Sequence, residues 1–195
     1  MHTVDNSERL KFRLMSSDDE SILWELDQDP AVMKYINGGI PTLRETMRSS
    51  YLPRLNQYTN PSKGWGMWAT SLLESNEFLG WILVRPMAFF TDSPEIHNLE
   101  LGWRFKRVAW GKGYATEAAE AVISSFNRST EFNHQQTIKL FSALADADNS
   151  TSIKIMKKLG MTYVKTALHR DPLGDEIAVY YQLELSEEER YIPQS

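Results

Sequence analysis

The residues best suited to chemistry lie in RVAWGKGYATEAAEAV, residues 107–122, where a glycine-rich basic segment runs into an alanine-rich helical pattern. Gly111 and Gly113 lack side chains, so backbone N–H groups there can approach an anion closely. A helix beginning near Tyr114 adds unsatisfied N–H groups and a favourable dipole. Arg104, Lys106, Arg107 and Lys112 bring positive charge, although strand alternation sends some of it elsewhere. On these residues alone, an anion-binding loop and a structural turn stand level. Two other phosphate loops are excluded. A Walker loop requires Ser or Thr after its lysine, and Lys112 is followed by Gly113. A dinucleotide fingerprint requires a third glycine at the helix, where Ala115 and Thr116 stand.

Other catalytic chemistries find little support. The chain has no cysteine, hence no thiol nucleophile, disulfide or Cys-based metal site. Its histidines, at 2, 97, 134 and 169, are scattered and form no HExxH site, so no metal is expected. His97 could lie near a substrate groove or simply on the surface. The net charge of −5 lacks the basic footprint of nonspecific nucleic-acid binding. No apolar run reaches membrane-spanning length, and MHTVDNSERL is too polar for a signal peptide, so no membrane partner and a cytoplasmic location are expected. The 195 residues, 42% hydrophobic and 24% charged, predict one α/β domain with a core over about 9–185 and a polar C-terminal tail.

The elements that must position the glycine loop follow from hydrophobic spacing. RLKFRLM (9–15) alternates as a strand, with Leu10, Phe12 and Leu14 on one face. Ser17 and Glu20 fit a capping box for a helix over about 18–28, which Pro30 closes. AVMKYING ends at two glycines, and TLRETMRSSYLPRLNQY reads as a second helical region that Pro53 kinks or divides. Three strands follow, at 65–73, 78–86 and 96–105, the first two joined by the turn ESNE. The 86–94 stretch reads as an exposed loop. Ala115, Ala118, Ala119, Val122, Ile123 and Phe126 form one helical face, with Glu117 and Glu120 toward solvent. A strand at 137–145, the capping segment DADNS, and a short helix through Ile153, Met156 and Leu159 to Gly160 come next. MTYVKTALH and EIAVYYQLEL are final strands around the turn RDPLGD. This order implies a mixed, mostly antiparallel sheet flanked by helices.

FKRVAWGKGYATEAAEAV, preceded by LELGWRF and followed by NSTSIKIMKKLGM, resembles the GNAT acyltransferase superfamily, and its RimJ/RimL-like protein N-acetyltransferase branch in particular. The likeness runs from RLKFRLM through DPAVMKYI to YYQLEL, nearly the whole chain. It implies acetyl-CoA as the acyl donor, with CoA as product. Backbone N–H groups from Val108 to Ala115, centred on Gly111, Lys112 and Gly113 and including Tyr114, would hold the pyrophosphate, with Arg107 nearby. The pantetheine arm would lie as an extra strand where Leu101–Phe105 (with Gly102, Trp103 and Phe105) and 138–143 splay apart. One position departs from the family pattern: Val108 stands where Gln or Arg is usual.

The same resemblance implies catalytic roles. Asn149 is a helix cap that could also touch coenzyme, and Ser152 would stabilise or protonate the departing thiolate. The family's usual tyrosine acid falls at Met156. Glu100 is either the base for the acceptor amine or an exposed strand carboxylate. Backbone donors near Leu101–Trp103 could stabilise the oxyanion, and no covalent acyl-enzyme is expected. The implied acceptor is a protein or peptide N-terminal α-amine, with small amines and a non-catalytic acyl-CoA-binding module as alternatives, and a homodimer is compatible. The acceptor groove would lie between 30–58, the 86–98 loop and the turn Arg170–Asp175. Trp24, Tyr35, Trp65, Trp81 and Tyr163 are either its walls or packing residues.

Overall fold

The computed structural model describes residues 1–128 and 138–185. Its strands are β1 (Leu10–Leu14), β2 (Gly66–Leu72), β3 (Phe78–Met87), β4 (Glu95–Phe105), β5 (Leu140–Asp146), β6 (Thr162–His169) and β7 (Glu176–Glu184). They form one sheet in the order β1-β2-β3-β4-β5-β7-β6, antiparallel throughout except for the parallel pair β4–β5. Its helices are α1 (Glu20–Leu26), α2 (Pro30–Asn37), α3 (Arg44–Thr46), α4 (Leu52–Tyr58), α5 (Tyr114–Arg128) and α6 (Ser150–Lys158). The mixed, mostly antiparallel sheet expected from the element order is the one observed.

Helices cover both faces, because each face carries its own apolar set. Leu10, Phe12 and Leu14 of β1 pack with Leu99, Leu101 and Phe105 of β4 and Phe141 and Ala143 of β5. The buried stripe Ala118, Ala119, Val122, Ile123 and Phe126 of α5 and Met156 of α6 complete this core. On the other face Met67, Ala69 and Leu83 meet Leu23 of α1 and Leu52, Leu55 and Tyr58 of α4. Among the described residues no helix is long and apolar enough to cross a membrane.

Several local expectations change. The capping box is Ser16 with Asp19, one residue earlier than Ser17 with Glu20. Asp19 wins because its carboxylate also receives Arg13, whereas Glu20 is drawn outward to Arg44 and Arg48. Pro30 does more than close a helix: it opens α2 in the first turn, where no N–H is required, with Asp29 capping Ala31 at 2.9 Å. Gly38, left-handed at φ +78°, then ends α2 as expected. Pro53 does not divide the next helical region: Arg44 to Tyr58 stays helical, because a π-helical segment, Met47–Tyr51, joins α3 to α4, whose first turn takes the proline. The 86–94 loop is not simply exposed, since Phe89 and Phe90 pack against the second core. The strand expected at 137–145 starts at Leu140. Thr137, His134 and the polar tail at 186–195 lie outside the described residues.

Close strand approach fixes the end of β4. A Cβ on Gly80 would lie 2.3 Å from the Arg104 carbonyl oxygen and 2.6 Å from the Phe105 Cα. Just beyond, the Lys106 N–H donates to the Leu79 carbonyl at 2.7 Å, aiming the chain into the glycine loop. Gly80→Ala is therefore expected to cost about 1–3 kcal/mol through backbone displacement, measured by urea unfolding.

Candidate active site

The central feature of the sheet is a pairing that stops. β4 and β5 are joined at Asn98–Leu140, Leu99–Phe141 and Glu100–Ser142. Beyond these pairs β4 continues beside β3 as far as Phe105–Gly80, and β5 continues beside β7 as far as Asp146–Ala178. Leu101–Phe105 and 143–146 thus present facing edges that are not paired with each other. The splay matches the expectation on β4. On β5 it begins at Ala143, because 140–142 is where the strands are joined. Every second backbone group along each edge is left for another extended chain or for water.

The glycine loop lies at the open end of this gap. A 3₁₀ turn at Arg107–Ala109 leads out of β4, and the Trp110 indole donates to the Phe105 carbonyl at 2.9 Å. Gly111 and Gly113 adopt φ +73° and +82°, where L side chains are strained. The first ladder bond of α5 runs from the Glu117 N–H to the Gly113 carbonyl at 3.0 Å, so the amides from Gly113 through Tyr114 and Ala115 to Thr116 precede the ladder. The expected basic cluster is largely spoken for: Arg104 pairs with Asp27, Lys106 with Glu25, and Arg107 with Asp29. Lys112 alone among those four cations has no ion pair among the described residues. Val108 is 61% exposed and contributes only backbone to any anion there.

A support for this loop was not read from the sequence. Glu117, expected on the solvent face, accepts from the Ser7 hydroxyl, the Arg9 amide and the Arg9 Nε at 2.7–2.9 Å. Arg9 also donates to the Lys112 carbonyl at 3.1 Å and stacks 4.5 Å over the Tyr114 ring. Burial alone would raise the Glu117 carboxyl, but the Ser7 and Arg9 hydrogen bonds outweigh it and hold the group below the usual carboxylate range. An intervening separation of more than a hundred residues hides this clamp from any local pattern.

Asn149 caps α6, its side chain accepting from the Ser152 N–H at 3.1 Å. The Trp103 indole Nε1 reaches across from β4 to the Ser152 Oγ at 3.3 Å. Indole only donates, so the serine proton is free to point elsewhere. Met156, at the family's tyrosine position, is 1% exposed and belongs to the core.

Glu100 occupies the opposite face of the sheet. Leu99, Leu101 and Phe105 enter the α5–α6 core, so alternation turns Glu100 toward α4. It is buried, which removes the exposed-strand alternative, and both its oxygens accept from Arg85, at 2.8 and 3.0 Å. Arg85 Nη2 is 4.0 Å from Asp171, which is paired with Arg54 of α4. Phe90 stacks on both guanidiniums, at 3.7 Å from Arg54 and 5.2 Å from Arg85. Burial pushes the Tyr58 hydroxyl up to about 12, so it remains protonated beside this cluster. The three expected groove segments therefore do meet, through Arg54, Phe90 and Asp171. Trp65 instead lies in the α5 core, and Tyr163 is an edge-strand residue stacked near Tyr181 on that same side, so neither is a wall. His169 and Tyr180, whose Nδ1 and hydroxyl lie 3.0 Å apart, extend the Glu100 side along β6 and β7.

Comparison with known proteins gives the same picture. The family model described as Acetyltransferase (GNAT) domain matches residues 9–162. YkkB, an uncharacterized protein of Bacillus subtilis, is 32% identical over 161 residues, covering 82% of this chain and 86% of its own. A GNAT-family acetyltransferase of Bacillus anthracis is 25% identical at TM-score 0.67, covering 94% of this chain and 98% of that one. RimL, the ribosomal L7/L12 alpha-N-protein acetyltransferase solved with coenzyme A, shares the fold at TM-score 0.68 and 14% identity, covering 93% and 97%.

The Glu117 clamp carries a pH signature. Its folded pKa is depressed, so its stabilisation is present above the unfolded carboxylate value and is lost as pH falls through the folded one. Glu117→Gln should lower the melting temperature by roughly 2–4 °C at pH 7, the shift expected for about 1 kcal/mol. The difference from wild type should shrink toward pH 3. A difference constant across that range would show that charge is not what Glu117 contributes.

Proposed function

This chain belongs to the GNAT acetyltransferase family, and we propose that it transfers acetyl from acetyl-CoA directly to the α-amine of a protein or peptide N-terminus. It is an enzyme of the acyltransferase class. The observation that carries the reading is the unpaired edge between β4 and β5, with the glycine loop at one end and the Trp103–Ser152 hydrogen bond beside it. The residues present suit the donor. Backbone groups of Leu101, Trp103 and Phe105 would meet the amides of the pantetheine arm, while those of Gly102 between them turn to β3. The amides of Val108, Gly111, Lys112, Gly113, Tyr114 and Ala115, with the Lys112 ammonium, would meet the phosphates. Acetyl-CoA supplies an activated acyl group. The likeness of fold to RimL supports an N-terminal amine as acceptor.

The protein's part is proton handling and orientation. An amine attacks only when neutral, and Glu100 sits on the acceptor side with lone pairs left after its two bonds to Arg85. It would take the amine proton, directly or through one water, as the carbon–nitrogen bond forms. The carbon–sulfur bond then breaks, and the Ser152 hydroxyl, oriented by Trp103, would donate to the thiolate and be reprotonated from solvent. Backbone N–H groups of Leu101–Trp103 would hold the developing oxyanion. With serine in place to act as acid, the core role of Met156 is not an obstacle to turnover.

The deciding experiment is thiol release from acetyl-CoA with peptides of varied first residue alongside small amines. Release with peptides is expected; binding of acetyl-CoA without release to any amine would instead indicate a binding module. Ser152→Ala and Glu100→Gln should each lower kcat by about 10²–10⁴-fold, the usual worth of a positioned proton-transfer group. Wild-type kcat in both variants would remove these roles. Lys112→Ala should raise the KM for acetyl-CoA several-fold and leave kcat near wild type, with the KM difference shrinking as salt is added.

A further inference from the structure

The acceptor side contains two arginines whose charges the transfer chemistry does not require. Arg85 is buried between β3 and its neighbours and is committed to Glu100 through two hydrogen bonds. Arg54 comes from α4, and its side chain is 13% exposed. Among the described residues its only hydrogen-bond partner is Asp171, which leaves most of its five donors unused. Burial, and then the nearby charge of Arg85, press the Arg54 guanidinium below its ordinary value. Two cations drawn this close require an anion between them, and Glu100 engages only one of the pair.

Asp171 supplies that anion from a different kind of position than Glu100. It opens the β6–β7 turn, where Leu173 is 56% exposed and a Cβ on Gly174 would touch nothing. Its second oxygen accepts from the Leu173 N–H at 2.9 Å, so the carboxylate is held by its own turn and by Arg54, not by the core. Such a group can rotate into water and keep its charge solvated. Glu100, on a central strand, cannot.

We infer that Arg54 and Arg85 form a carboxylate-binding clamp in the acceptor site, and that the acceptor's own carboxylate exchanges with Asp171. This rests on the acetyl-transfer reading above and redefines its acceptor by a carboxylate, whether carried by a peptide or by a free amino acid. The acceptor is an amine bearing a carboxylate a few bonds away: a free amino acid, or a peptide whose first residue is acidic. The spacing agrees, because Arg85 Nη2 both donates to Glu100 at 3.0 Å and lies 4.0 Å from Asp171, which Arg54 holds. The Glu100 and Asp171 carboxylates thus neighbour one Arg85 nitrogen, so an amine at the first and a carboxylate in place of the second fall within the span of one small acceptor. The exchange also preserves charge balance, replacing one carboxylate by another beside two arginines, so no buried cation loses its partner. Phe90, stacked on both guanidiniums, restricts water around the site and strengthens recognition of the anion.

The test compares matched acids and amides by thiol release: peptides beginning with Asp or Asn, and free phenylalanine against phenylalaninamide. In at least one pair the acid should show kcat/KM about tenfold or more above its uncharged partner, the worth of one charge-assisted hydrogen bond. The pair that discriminates identifies whether a side-chain or an α-carboxylate is read. Arg54→Gln should bring the acid-to-amide ratio to within about twofold of unity. Because it is taken within one preparation, that ratio does not depend on the folded fraction. Asp171→Asn should raise the ratio by removing the competing carboxylate. Equal rates for acid and amide in both pairs, a ratio that survives Arg54→Gln, or a ratio that falls in Asp171→Asn would each overturn the clamp while leaving the transferase standing. Acetyl-CoA binding with no thiol release to any acceptor would overturn both.

Discussion

Two parallel strands that pair over three residues and then part create the opening on which the rest of this structure depends. A fully zipped β4–β5 ladder would satisfy its backbone groups internally and leave nowhere for an extended ligand to lie. Each strand can afford the parting because its other edge stays paired, β4 with β3 and β5 with β7. The gap is thus bounded by two rigid antiparallel units, and the distance between them is held by the joined pairs at 98–100 and 140–142.

The gap also separates two chemistries by face. Strand alternation sends Trp103 toward α6, where it meets Ser152, and sends Glu100 toward α4, where it meets Arg85. The two candidate proton-transfer groups, Ser152 and Glu100, therefore lie on opposite sides of the gap. The charges around it are partitioned similarly. Arg104, Lys106 and Arg107 are tied to acidic residues in or beside α1 and α2, while Lys112 stays available at the loop and two arginines remain on the Glu100 side.

The N-terminal segment has a part in this arrangement that its position in the chain does not suggest. Ser7 and Arg9 close onto Glu117 in the first turns of α5, and Arg9 continues to the Lys112 carbonyl. Both glycines of the loop carry positive φ, which costs them conformational entropy on folding, and the clamp holds the loop between them in place. The order of the glycine loop here comes partly from residues that lead into a strand at the far edge of the sheet.

By itself the sequence determined whatever depends on short-range periodicity and backbone chemistry. That covers the alternation of β1, the buried stripe of α5, the glycines at 111, 113 and 160, and the Asn149 cap. These are legible because a side chain's effect on its own φ and ψ, or on a neighbour three or four positions away, does not need the rest of the molecule. The residue types of the candidate site, Glu100, Ser152 and the loop, can be named from the sequence too. Their company was decided only by the tertiary structure: Glu100 locked to Arg85, Ser152 oriented by Trp103, Glu117 turned from solvent to Arg9, and Arg54 facing Asp171 across 117 positions. Charged side chains choose partners by distance and burial, and neither exists until the sheet has brought remote segments together.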